Sequence, residues 1–171
     1  MTNRAREVLS DCRLVLQMLE DEKDLRRWRI HWAAAVALIR TVGYALDKVD
    51  GKNPDVKRVA SAAFKRWKSD TAEHEIFREF IERERNNILK EYQFNVHPLD
   101  EVEIAITTKL VPVQGSEPIE IQQVFPIGEN IYRPLLDSYR EGDDARDVLA
   151  EAIDWWEAEL SAIDKFVQPA R

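Results

Sequence analysis

Apolar residues recur at three- and four-residue steps through most of this chain, and alternate at steps of two in one stretch. Val8, Leu9, Cys12, Val15, Leu16 and Leu19 mark one face of a helix over about residues 4–22. A second helix is expected over 25–50. Between Trp32 and Leu46 it is apolar nearly all round, which predicts burial on several sides. The break that follows has a clear grammar: Gly51 suits a helix C-terminus, Asn53 an N-cap and Pro54 a first turn. The third helix, over 55–68, turns Val56, Val59, Ala60, Ala63, Phe64 and Trp67 inward. A fourth runs from about Glu73 to Tyr92 or Phe94, with Asp70 and Glu73 at capping-box spacing. In the last helix, over 143–167, Leu149, Ile153, Trp156, Leu160, Ile163 and Val167 step by four and three. This seam suits bundle packing, and a core role is preferred over a dimer interface.

After Pro98 the period changes. Val102, Ile104 and Ile106 alternate with Glu103, Ala105 and Thr107, and Ile119 and Ile121 alternate with Glu120 and Gln122. With a turn over 112–117, this predicts a β-hairpin at about residues 101–125. An isolated hairpin is marginal in water, so it should pack on the bundle or on a second subunit. Residues 127–139 read as a linker with room for a short helix from Pro134. The fold class is therefore mainly α: one domain over residues 1–171, a four-to-five-helix bundle with an inserted β-hairpin, expected as a homodimer.

Composition narrows the functions. Hydrophobic residues make up 44% of the chain and charged ones 33%, as in soluble helical proteins. The start is charged and without a signal core, and the longest apolar run, 32–39, is too short to cross a membrane, so a cytoplasmic protein is expected. Residues 1–93 hold 19 Lys/Arg against 16 Asp/Glu, and residues 94–171 hold 6 against 16, for a net charge of −7. That balance disfavours strong binding to duplex nucleic acid, although a basic face on the first half stays open. The single cysteine, Cys12, excludes an internal disulfide and reads as a small buried hydrophobe. The three histidines form neither a metal-binding pair nor the Glu-x-x-His repeats of di-iron bundles, and with five glycines there is no phosphate loop. No cofactor or metal is expected, and an ordinary metabolic enzyme is disfavoured.

The fourth helix is where polar residues fall out of place. At 100° per residue, Ile76, Phe77, Phe80, Ile81, Ile88 and Tyr92 share a stripe that Glu84, Asn87 and Glu91 enter, with Arg85 at its border. These groups are solvated on a protruding half-helix, held in a buried structural network, or part of a working site. Arg40, on one face of the central helix with Arg29, Val36, Tyr44 and Asp47, is a candidate partner for Glu84 or Glu91. The slightly preferred reading is that it snorkels to the surface. Glu75, Glu79 and Glu82 read as solvent surface.

The run Arg85-Asn86-Asn87-Ile88-Leu89-Lys90-Glu91-Tyr92 resembles the Arg-polar-x-x-x-His motif of HEPN-type helical bundles. The resemblance covers the helical parts and leaves the hairpin unexplained. It implies a dimer and, in active members, RNA cleavage by Arg and His from paired subunits. Here Lys90 stands at the histidine position, and an ammonium is a poor general acid or base near neutral pH unless desolvated. The leading expectation is a non-catalytic HEPN-like interaction or regulatory protein, in which Arg85, Asn86 and Lys90 bind phosphate or a partner, or hold the fold. Two alternatives stand beside it: an RNA-binding or RNA-cleaving HEPN-like protein, and a small-ligand binder using Arg40, Glu84, Asn87 and Glu91.

Overall fold

The computed structural model describes residues 1–69, 71–97, 102–111, 117–128, 132–137 and 139–167. Its helices are α1 (Asn3–Asp21), α2 (Leu25–Lys48), α3 (Pro54–Trp67), α4 (a continuous helical segment over 76–91) and α5 (Ala145–Val167). Two strands, β1 (Val102–Leu110) and β2 (Ile119–Gly128), form an antiparallel hairpin between α4 and α5. The chain is thus mainly α, a bundle with an inserted β-hairpin. No described helix is long and apolar enough to cross a membrane.

α2 is the axis. It packs against all four other helices, which is why its apolar surface wraps round: Trp28, Trp32, Ala35, Val36, Ile39, Val42, Ala45 and Leu46 are all buried. Asp24 caps its start by accepting from the Arg27 N–H at 2.8 Å. The helix stops at Lys48, and a 3₁₀ turn, Asp50–Lys52, leads to the next start. There Asn53 accepts from the N–H groups of Asp55 and Val56 at 2.9 and 3.3 Å, with Pro54 at the first helical position. The α5 seam lies in the core, where Leu149, Ile153, Trp156, Leu160 and Ile163 are buried and Val167 packs against them. The capping box expected for the fourth helix involves Asp70, outside the described residues; a 3₁₀ turn, Ala72–His74, precedes α4 instead.

The centre of packing is aromatic. Trp67 of α3 meets Trp156 of α5 edge-on at 5.1 Å and Phe77 of α4 at 5.4 Å, and Trp155 meets Trp156 at 4.9 Å. α2 joins this group through an absence. A Cβ at Gly43 would lie 3.1 Å from Trp156 Cη2, so glycine lets the indole reach the α2 backbone. The far side of α5 is tied to α1 by charge. Arg6 donates to Glu157 at 2.6 Å and to Asp164 at 3.2 Å, Arg13 reaches Glu157 at 2.8 Å, and Thr2 donates twice to Asp164 at 2.9 Å. Hydrogen bonds from Arg13 and Arg6 hold the Glu157 carboxyl down to about 2.

Before α5 the chain makes bridges rather than the expected helix from Pro134. Val96 pairs with Leu135, and Pro134 with Asp144. Proline offers no N–H to a helix, and the neighbouring groups bond across the bridge: Leu136 N–H donates to Asn95 O at 2.8 Å and His97 N–H to Pro134 O at 2.9 Å.

The hairpin stands off the bundle. Its register pairs Ile104 with Phe125, Ile106 with Gln123, Thr108 with Ile121 and Leu110 with Ile119. Because side chains alternate across a sheet, these eight share one face, while Ala105, Thr107, Lys109, Glu120, Gln122 and Val124 share the other. Neither strand packs extensively on any helix, and every described hairpin side chain is exposed. The expectation that the hairpin packs on the bundle is therefore not met among the described residues. The turn predicted over 112–117 lies mostly outside the described residues.

Bundle and ribbon should respond differently to truncation. Trp156→Ala removes a fully buried ring and should lower unfolding stability by about 3–5 kcal/mol. Ile106→Ala, on the ribbon, should shift the bundle's stability by less than about 0.5 kcal/mol. Urea unfolding followed by far-UV circular dichroism at dilute protein checks both.

Candidate functional site

α4 is not one regular helix. Wide π turns run over Ile76–Glu82, an α turn over Arg83–Asn86, and π turns again over Asn87–Glu91. In a π turn each bond spans one residue more than in an α turn, so a wheel at 100° per residue drifts out of phase. Ile76, Phe77, Phe80, Ile81 and Ile88 are buried as expected, but Tyr92 is 67% exposed. It adopts a left-handed φ of 53° and ends the helix, with its N–H on Ile88 O at 3.1 Å.

Glu84 is the buried carboxylate of this segment, at 3% exposure. It accepts from the backbone N–H of Asn95 at 3.4 Å and from the Asn95 side chain at 3.3 Å. Burial pushes its carboxyl up from the usual glutamate range. Asn95, Trp32 and Asn87 favour the charged form without offsetting that burial. Among the described residues Trp32 Nε1 nonetheless makes no hydrogen bond of ordinary geometry. The arrangement is a structural knot. Through Asn95 it holds the segment leaving α4 back against that helix.

Arg40 does not pair with Glu84 or Glu91. Its Nη2 donates to Glu82 at 3.1 Å, its guanidinium lies 4.5 Å from the Tyr44 ring centre and 5.5 Å from that of Phe77, and Lys68 hydrogen-bonds the other Glu82 oxygen. Nor does it snorkel: its side chain is 12% exposed. Glu82, expected on solvent surface, is 18% exposed and links α2 to the end of α3. Farther along α4, Arg85 donates to Asn86 at 2.9 Å, both half-buried, whereas Lys90 and Glu91 are exposed. The seven residues singled out in the sequence therefore fall into separate places. Glu84 and Asn87 lie together, Arg85 and Asn86 lie together, Arg40 belongs with Glu82, and Lys90 and Glu91 face water.

Two features had no sequence signal. Arg133 is 1% exposed, with its guanidinium 5.3 Å from the Trp28 ring centre. Asp144 accepts from Arg133 N at 2.9 Å, from Arg146 N at 2.9 Å and from Arg146 Nε and Nη2 at 2.8 and 2.7 Å. Burial would raise the Asp144 carboxyl, but the Arg146 side chain and the two backbone donors lower it overall. Cys12 is fully buried, and burial pushes its thiol up to about 12, which leaves little thiolate. Among the described residues no three His, Cys, Asp or Glu side chains come together as a metal site. No family model, curated protein or solved structure matches this chain.

Glu84 gives the fold a pH signature. Its folded-state value lies above that of an unfolded glutamate, so the folded state binds the proton more tightly. The stability this brings is full below the ordinary glutamate range and is lost as pH rises through the raised value. Glu84→Gln should flatten that part of the stability profile. Urea midpoints of the two proteins across this range check it; parallel profiles would show that Glu84 is not the titrating group.

Proposed function

We propose that this chain is a non-catalytic, HEPN-like interaction protein that works as a homodimer, with the β1–β2 ribbon as its contact surface. The observation that carries the reading is the ribbon's uncharged face. Ile104, Ile106, Leu110, Ile119, Ile121 and Phe125 share it at 42–58% exposure, with Thr108 and Gln123 as its polar members. A two-stranded hairpin has little stability of its own, so a ribbon of this length with an apolar face calls for a covering surface.

The occupant we assign is a second copy of the chain. The face is neutral and identical on each copy, so a two-fold axis can lay it on itself without opposing charges. Six half-exposed side chains offer roughly 550 Å² per copy, so a pair would bury about 1,100 Å², enough for a specific contact. The opposite face carries Lys109 and Glu120, 3.4 Å apart across the strands, and suits water.

The motif on α4 supports binding over cleavage. Arg85 is engaged with Asn86, and the histidine position of the motif is taken by Lys90, which is exposed. The net charge of −7 also weighs against RNA as the main partner.

Sedimentation equilibrium at micromolar concentration tests the reading. The wild type should be a dimer, Ile106→Lys/Ile121→Lys a monomer with an unchanged helical spectrum, and Thr107→Lys/Gln122→Lys, on the other face, still a dimer. A monomeric wild type, or a dimer indifferent to the first pair, would overturn the ribbon contact. RNA degradation by pure protein that disappears in Arg85→Ala would replace the non-catalytic reading with the nuclease one.

A further inference from the structure

A cleft of about 330 Å³ opens between α2 and α3. It exists because the facing positions are small: Gly43 on α2, Ala60 and Ser61 on α3. Its walls are aromatic. Tyr44 and Phe64 flank it at 44% and 42% exposure, and buried Trp67 lines it below. Two cations, Arg40 and Lys65, line it against one carboxylate, Asp47. Hydrogen bonds from Lys57 and Lys48 hold that carboxyl below its usual range, so it is already ionised and partnered.

Two groups lining this cleft have hydrogen-bonding capacity that the described residues leave unused. Arg40 is placed by its bond to Glu82 and by stacking on Tyr44, and among the described residues it donates only through Nη2. Its Nη1 passes over Gly43, where an added Cβ would lie 3.1 Å away. A guanidinium has five N–H donors in a fixed fork. Stacking occupies its face and leaves the edge for an acceptor. The second group is the Trp67 indole, 2% exposed, whose Nε1 has no partner among the described residues. A buried donor left unmade is costly, and this one lies on a side chain lining a cavity.

We propose that the α2–α3 cleft binds a small planar aromatic carboxylate, with the ring between Tyr44 and Phe64 and the carboxylate on the Arg40 edge. The chemistry follows from the walls. Aromatic sides favour a flat ring through stacking. A pre-placed, nearly buried guanidinium favours a planar anion through paired hydrogen bonds. The volume lies at the small end of ligand pockets and suits one or two fused rings. This inference does not depend on the ribbon contact, which lies on other elements.

Isothermal titration of the full chain with 1-naphthoate tests the proposal, with 1-naphthalenemethanol as the neutral analogue and cyclohexanecarboxylate as the non-aromatic one. The naphthoate should bind saturably at one per chain, and each analogue about tenfold more weakly or worse. Ser61→Trp, at an exposed position on the lip, should abolish binding while leaving the thermal melt in place. Arg40→Met should weaken naphthoate about tenfold and leave the neutral analogue unchanged. Absence of saturable binding at millimolar naphthoate, equal binding of the neutral analogue, or full binding by a folded Ser61→Trp would overturn it.

Discussion

Burial of one indole constrains much of this fold. Trp156 is fully buried, and it touches Trp67 of α3, Phe77 of α4 and the α2 backbone at Gly43. Each of those elements can close on the ring only in one position. A side chain at residue 43 would meet Trp156 Cη2 and Arg40 Nη1 together, each 3.1 Å from its Cβ, so the spacing of α2 and α5 follows from a missing side chain. The same absence leaves Arg40 lying over glycine with room beside it. The packing centre and the α2–α3 cleft therefore share a cause.

Two carboxylates on α4, two residues apart, show how local geometry decides what a charge does. Glu82 stays partly wet and has two cationic partners, so its side chain joins α2, α3 and α4. Glu84 is buried and has amide and indole neighbours instead of a cation, so its charged form is disfavoured. Had Arg40 turned to Glu84, the buried charge would be neutralised, but Glu82 would keep only Lys68. The observed choice places the arginine at the helix junction and leaves the strand after α4 to hydrogen bonding.

Much of the architecture was legible in the sequence because it follows from periodicity. The four-and-three seam on α5 placed Trp156 in the core, the all-round apolar run placed α2 at the centre, and Asn53-Pro54 fixed the start of α3. Alternation located the ribbon. What was not legible depends on contacts between residues far apart in sequence. Arg40 could be seen to need a carboxylate, but Glu82 and Glu84 differ by an angle on the helix, and the π turns of α4 change that angle. Tyr92 left the apolar stripe for a related reason: the helix ends there in a left-handed turn. Arg133 looked like linker, because a chain segment held by bridges and one buried guanidinium carries no period.

The ribbon and the bundle satisfy opposite requirements. The bundle helices bury a continuous apolar core within the chain. The ribbon concentrates six large apolar side chains on one face and keeps its charges, Glu103, Lys109 and Glu120, on the other. Were both faces mixed, the hairpin could be a solvated loop extension; were both apolar, it would invite indiscriminate stacking. Segregation permits one covered face and one wet face, the geometry of half a sandwich. On the proposed dimer reading, a second copy completes the pair, and the helices present it.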